Sequence, residues 1–398
     1  MAGIVYSNSF LKAFFFDPSP GRDLSFPELR NILLSLDHDS LCTLGSNSAI
    51  LSSRFHVPVG GEARYVEYIK RLGFRPSNSR MRNKPMNFRL HSVTDHEIES
   101  GLIKVERSSI GISVTVPDEM LGLNVLQLWM NRILALTRNY PVGVAKIFEY
   151  YEEKGEGTFF YLDISDGGEE HEDDISRHSH AFGYCRNRNS HNIGLIPDSY
   201  TLHDLEYGSI ESRWRSKEDA AQDYAKRKKQ LFWRGSTTGR PPQETIETNR
   251  RIQFCIEALN YPDSFDSKIT NVVGIGEINT TYKKLLRKKI TAAPVTEDEF
   301  EKYVAFVDLD GNTAAWGSLR KYLLMVHVIK PESGYTLFYH PTQPRDTFTS
   351  VGHESEIFER SKNDPNFLDN FGIAWRGYNF AMELREKVIN GEATIFPE

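Results

Sequence analysis

Two successive series of apolar strands, each handing over to a polar, glycine-bearing loop and then a helix, predict an α/β chain. Two lobes facing a cleft, behind a variable N-terminal region, are expected. Length agrees, because 398 residues exceed what one hydrophobic core usually serves. A third observation is Leu231-Phe232-Trp233-Arg234-Gly235-Ser236-Thr237-Thr238-Gly239, an apolar run that breaks into glycine and hydroxyl residues around one arginine. In open α/β sheets ligands bind at such strand-to-loop handovers.

The first series begins with an amphipathic helix over 62–72 and a basic connector over 75–89. Alternating Ile103, Val105, Ile112, Val114 and Val116 around Arg107-Ser108-Ser109 predict a hairpin over 102–116. Pro117-Asp118 then starts a helix whose Leu121, Val125, Leu128 and Trp129 recur every three to four residues, a core stripe. Strands follow over 158–164, 180–184 and 193–196, the first ending in Ser165-Asp166-Gly167-Gly168. Ser216-x-x-Asp219 is a capping box for a charged helix reaching about Lys229, a bridge between the lobes. The second series runs as a strand from Phe232, a helix over 248–260, a strand over 268–275 and a basic helix over 282–289. It continues with a strand over 303–309, a helix over 316–325, a strand over 326–330 and a last helix over 373–390.

Composition narrows the function. A net charge of −6 argues against a dedicated nucleic-acid binder. Three widely separated cysteines, Cys42, Cys185 and Cys255, give neither a disulfide framework nor a zinc ribbon. Phe14-Phe15-Phe16 lacks a basic leader, and no apolar run reaches the roughly 20 residues that span a bilayer. A soluble, cytoplasmic chain is expected. The cations Lys70, Arg71, Arg75, Arg80, Arg82 and Lys84 form either a solvated face or a peripheral contact with the inner membrane face.

The break at residues 234–239 has the chemistry of an anion pocket: glycine admits backbone N–H groups to an oxyanion, hydroxyls add donors, and Arg234 offers a fork to a phosphate. Asp308-Leu309-Asp310-Gly311-Asn312 after a buried run is either an Asp-x-Asp metal site or an Asp-Gly turn. Small residues around Trp316 and Ser318 suit phosphate or ribose, and Lys330 ends a buried strand where a cation needs a partner. His171, His178 and His180 beside Glu169, Glu170, Asp173 and Asp174 are open to a metal reading, but no third ligand has diagnostic spacing. Gly274-Ile275-Gly276 is half a dinucleotide fingerprint and reads as a strand exit.

The run 232–239, the later Arg250 or Arg251, then Asp308-x-Asp310-Gly311-Asn312 with Trp316 and Lys330, resemble the C-terminal half of glycosyltransferase family 90. That family includes KTEL or Rumi-type protein O-glucosyltransferases, capsule-associated xylosyltransferases and bacterial lipopolysaccharide or capsule enzymes. The resemblance covers 230–340 and thins over 100–230. It implies a GT-B fold of two Rossmann-like lobes: 1–100 as the variable region of the first lobe, 101–229 as the acceptor side with the base, 230–370 as the UDP-sugar lobe, and 371–398 as a C-terminal helix packing back on the first lobe. It implies inverting transfer of a glucose- or xylose-type sugar from UDP to a glycan, lipid-linked or lipopolysaccharide acceptor, with no cofactor or catalytic metal. Donor contacts carried over are Arg234, Gly235, Ser236, Thr237, Arg251, Asp310, Gly311, Asn312, Trp316, Ser318, Arg320 and Lys330. The resemblance implies Asp166 as the catalytic base, ahead of Asp163, since the run Phe159 to Asp166 is similar to the family's strand and the aspartate just after it.

One position departs from the pattern. Gly317 stands where the family carries an arginine seven residues after the Asp-Gly-Asn aspartate, and Arg320 is the nearest substitute. Two other classes therefore stay open: a hydrolase built on Asp166, His178 and His180, and a catalytically silent nucleotide- or glycan-binding homologue.

Overall fold

The computed structural model describes residues 88–93, 102–108, 111–117, 132, 136, 140–163, 180–189, 192–198, 201–202, 214, 216–239, 245–273, 275, 278–364 and 366–397. The helices expected over 62–72 and 118–129, the acidic loop, Asp166, His171, His178, Gly274 and Gly276 lie outside them. So do the cations from Lys70 to Lys84.

The chain is α/β and two-lobed. The first lobe carries a six-stranded sheet of β1 (Phe88–Val93), β2 (Leu102–Ser108), β3 (Gly111–Pro117), β4 (Phe159–Asp163), β5 (Ala181–Gly183) and β7 (Gly194–Leu195), in the order β1-β3-β2-β4-β5-β7. The hairpin expected over 102–116 is the antiparallel pair β2–β3, and β2 also runs antiparallel to β4. The remaining pairs are parallel, so this sheet is mixed. Helix α1 (Pro141–Lys154) starts with proline at its first turn and ends at Gly155, whose φ of 70° suits the left-handed cap. It buries Val144, Ile147, Phe148 and Tyr151, with Phe148 against Phe160 of β4.

The second lobe is built on an all-parallel sheet of β8 (Lys228–Ser236), β9 (Phe265–Asn271), β10 (Tyr303–Val307), β11 (His327–Pro331) and β13 (Thr349–Val351), in the order β13-β11-β10-β8-β9. Every residue of β10 is buried, as expected of a central strand covered on both faces. Helix α2 (Lys217–Tyr224) precedes β8, and Ser216 Oγ accepts from Asp219 N as the capping box requires. It stops well before Lys229, because β8 already claims Lys228. The other helices are α3 (Arg250–Ala258), α4 (Ile278–Arg287), α5 (Ser318–Leu323), α6 (Glu354–Asn363) and α7 (Phe371–Ile389). Phe254 of α3, Phe358 of α6 and Phe265 of β9 form one aromatic cluster.

A strand pair and the C-terminal segment both tie the lobes. Strand β6 (Cys185–Asn187), directly after β5, pairs antiparallel with β12 (Tyr335–Leu337) from the second lobe. Helix α7 packs on α5, β11 and α2, and the segment beyond it returns to the first lobe. There Ile395 exchanges both backbone hydrogen bonds with Leu195, and Phe396 stacks on Tyr150 at 4.0 Å.

Candidate functional site

Connections in the second sheet reverse at β8: its first crossover leads to β9 on one side, and the next returns to β10 on the other. The gap between the C-terminal ends of β8 and β10 is therefore the topological switch point, where the two departing loops diverge and leave a crevice. The loops there are 236–239 and 308–312, the two segments singled out by residue chemistry.

Arg251, in the first turn of α3, staples them together. Its Nε donates to Asp310 O (2.9 Å) and Nη2 to Leu309 O (2.8 Å), while Nη1 donates to Thr238 Oγ1 (2.6 Å) and Ser236 O (3.3 Å). Gly311 permits this approach, since a Cβ there would lie 2.9 Å from both Arg251 Nη2 and Thr238 Oγ1. Thr237 is fully buried and exchanges hydrogen bonds with Val273, and its carbonyl accepts from Asn249, the cap of α3. A small crevice of about 160 Å³ remains, lined by Thr238, Gly239, Arg250, Arg251, Asp310 and Gly311 among others. Arg250 enters it from an ion pair with Glu354, and reaches Asp310 Oδ2 at 3.9 Å.

Asp308 and Asp310 differ in environment. The hydroxyl of Ser318 donates to Asp308 Oδ1, and Lys330 Nζ stands 3.5 Å from Oδ2. Lys330 Nζ also lies 2.9 Å from His340 Nε2. Burial pulls the Lys330 ammonium below its ordinary pKa, against Asp308, which favours the charge. Burial, reinforced by the Lys330 charge, pushes His340 well below its ordinary value, so a neutral imidazole faces the ammonium. Asp310 is raised to about 6, chiefly by burial, with the charge of Asp308 adding and the side chain of Ser333 opposing.

Beside the switch point, a cleft of about 790 Å³ opens over the C-terminal ends of β11 and β13. Both lobes line it. Arg186 and Arg188 come from the first lobe, and Lys330, His340, Arg345 and Glu356 from the second. Arg186 lies in β6 and Arg188 in the turn directly after it, and no local pattern in the sequence marks the pair as cleft residues. Arg188 pairs with Glu332 at 3.1 Å, and Arg186 donates to Ile193 O at 2.7 Å.

The remaining expected residues are placed as follows. Arg234 folds back over the ring of Phe232, 4.2 Å from its centroid, and gives its terminal nitrogens to Asp266 Oδ1 (2.7 Å), Asp266 O and Trp233 O. Its charge is thus held on the face of the sheet, turned from the loop 236–239. Gly235 lies in β8 beneath Trp233, where a Cβ would meet the indole at 2.5 Å. Ser236 Oγ shares a hydrogen bond with Thr238, and Asn312 is partly exposed in the turn. Ser318 is fully buried under Asp308. Arg320 points to Asp298, in the turn that precedes β10, and so to the opposite end of the strands from Lys330. Trp316 packs on Tyr184 and beneath the Arg132 guanidinium, both from the first lobe. Asp163, the last residue of β4, is buried. Asp166, three residues further, lies outside the described residues. His180 faces Glu156 at 3.1 Å among the rings of Tyr151 and Phe159.

No family model matches the chain, and no curated protein sequence is similar to it. Among solved structures, it is similar to the C-terminal domain of a glycosyl transferase group 1 family protein from Francisella tularensis, at 14% identity and a TM-score of 0.29. That similarity covers 44% of this chain and 95% of the other. No helix among the described residues is long and apolar enough to cross a membrane.

Proposed function

We propose that the chain is an inverting glycosyltransferase of the GT-B type. A UDP-sugar would lie along the C-terminal rim of the second sheet, and a glycan or lipid-linked acceptor would enter from the first lobe. The observation that carries this reading is the cleft of about 790 Å³ beside the switch point, lined from both lobes and bearing Arg186, Arg188, Lys330 and Arg345. Its volume falls in the range of roughly 300 to 1,000 Å³ that small-molecule sites occupy. Its cations suit a diphosphate. As the bond to the anomeric carbon breaks, Lys330 would offset charge developing on the leaving diphosphate, with Asp308 holding its ammonium in place. Asp166 would take the acceptor proton, a role supported by the resemblance. Arg251 and Gly311 would shape the loops. Arg234, spent on Asp266, would brace β8 and not touch the donor.

The reaction is proposed to need no divalent metal. Asp308 already has Lys330 as its cation, and the Arg250 and Arg251 charges stand beside Asp310. The test is a thermal-shift and calorimetric screen of nucleoside diphosphates with and without EDTA. UDP at about 100 times its dissociation constant should stabilise the fold by roughly 2.7 kcal/mol in either buffer. No stabilisation by any nucleoside diphosphate would sink the reading, and stabilisation lost in EDTA would restore a metal site at Asp308-x-Asp310.

Gly317 favours a second reading, a silent binder. It caps α5 with φ of −82°, and a Cβ there meets only Lys321 Nζ at 3.5 Å, so a side chain fits. If the native chain binds UDP-sugar without turning it over and Gly317→Arg gains hydrolysis or transfer, the silent reading holds. Turnover by the native chain eliminates it.

A further inference from the structure

Helix α4 carries cations and outward-facing apolar side chains together. The protein has a net charge of −6, yet residues 283–289 hold Lys283, Lys284, Arg287, Lys288 and Lys289 with no acid among them. All five are exposed. Thr281, Leu285 and Ile290 anchor the segment in the core. Tyr282 and Leu286, one helical turn apart, instead face outward, 44% and 54% exposed, and Val273 in the loop before the helix is 39% exposed. Among the described residues Glu247 faces Lys284 and Lys288, which leaves the cationic excess in place.

A short apolar stripe flanked by lysine and arginine is the pattern that lies in the plane of a membrane interface: the stripe enters the acyl boundary while the cations meet anionic headgroups. We propose that α4, with Val273, docks the protein peripherally on an anionic lipid surface. Both halves of the pattern are needed to choose this partner. Cations alone would suit any polyanion, but a nucleic acid backbone offers Leu286 nothing to bury against. The location is coherent as well. Val273 exchanges hydrogen bonds with Thr237, so the surface flanks the loop at the switch point and docking would hold that rim close to the bilayer. The inference does not depend on sugar transfer.

The experiment is sedimentation of the full chain with vesicles of equimolar phosphatidylglycerol and phosphatidylcholine, against vesicles of phosphatidylcholine alone. Binding is expected to the anionic vesicles only, and to weaken at high salt. The double variant Lys284→Glu with Lys288→Glu should bind roughly 25-fold more weakly or worse, at about fivefold per cation. Leu286→Ser should cost about tenfold, from the apolar area it no longer inserts. Unchanged circular dichroism certifies that both variants fold, since these side chains leave the core untouched. Equal binding to neutral and anionic vesicles, or no binding to either at low salt, would overturn the proposal. So would binding to duplex DNA that Leu286→Ser leaves unaltered, which would make the surface a general polyanion site.

Discussion

Asp310 shows how one carboxyl can be costly to the fold it belongs to. Its pKa is raised from 3.8 to about 6, first by burial, so the native state holds a proton more tightly than the unfolded chain between those values. The stability contributed by protonated Asp310 is complete below its unfolded pKa and lost as pH rises through about 6. Ionisation above that point then costs of order 2 to 3 kcal/mol. Asp310→Asn should therefore be the more stable protein at pH 8 by that order, and show no gain at pH 4. Urea melting at the two pH values decides it, and a loss of stability at pH 8 would mean that the Arg250 and Ser333 contacts outweigh desolvation. Arg234 teaches a related lesson. The sequence offers its fork to a phosphate, whereas the structure gives it to Asp266. Nothing local to residues 231–239 announces a carboxylate on the neighbouring strand. That pairing belongs to the β8–β9 register, in which Phe232 faces Asp266.

Elements were more legible than partners. Strict apolar runs and caps were enough to locate β2, β3, β4, β8, β10, β11, α3 and α7, because each is fixed by its own periodicity. Strand β9 starts earlier than its apolar run suggests, at Phe265, since polar Asp266 and Lys268 are tolerated on a strand near the sheet edge. The three-residue strands β6, β12 and β13 were missed. They owe their extended form to pairing across the chain, and no local period can be seen in so short a span. The end of α7 shows how tightly one element can be specified. Gly391 takes φ of 68°, closes the helix by donating to Val388 O, and lies so near the first lobe that a Cβ would stand 2.5 Å from Gly143 N and 2.7 Å from Val142 C. Backbone cannot yield as a side chain would. Gly391→Ala should cost about 2 kcal/mol or more, from the left-handed conformation and the clash together. It should also speed proteolysis near Leu195 as Ile395 is pulled away. A variant melting like the parent in urea would show that the segment 390–396 carries little of the stability.

At the scale of the molecule, one apolar cluster runs from Phe160 and Phe182 in the first lobe to Phe232 and Val328 in the second. Tyr184, Trp316 and Arg132 stack where the lobes meet, and the β6–β12 ribbon and the returning C-terminal segment add two further links. Unfolding should thus be a single transition, with far-ultraviolet and tryptophan signals coinciding. Two separated transitions would show that the lobes have independent stability despite these links. Sequence could show two lobes, since each has its own strand series, but not their stitching, which depends on residues far apart in the chain.

The ribbon has a consequence for engineering. Proteins made of beads on a string can exchange a donor-recognising half with a relative by cutting once at the linker. Here a graft that cut only before β8 would carry β12 away from the β6 that completes it, and Phe396 away from Tyr150. A working chimaera needs three matched pieces from the same parent: the 228–389 body, the 185–188 edge that pairs with it, and the 390–396 segment together with the α1 surface on which it rests. Under the proposed function, altered sugar choice is therefore reached more readily by changing residues in place along the rim than by trading halves.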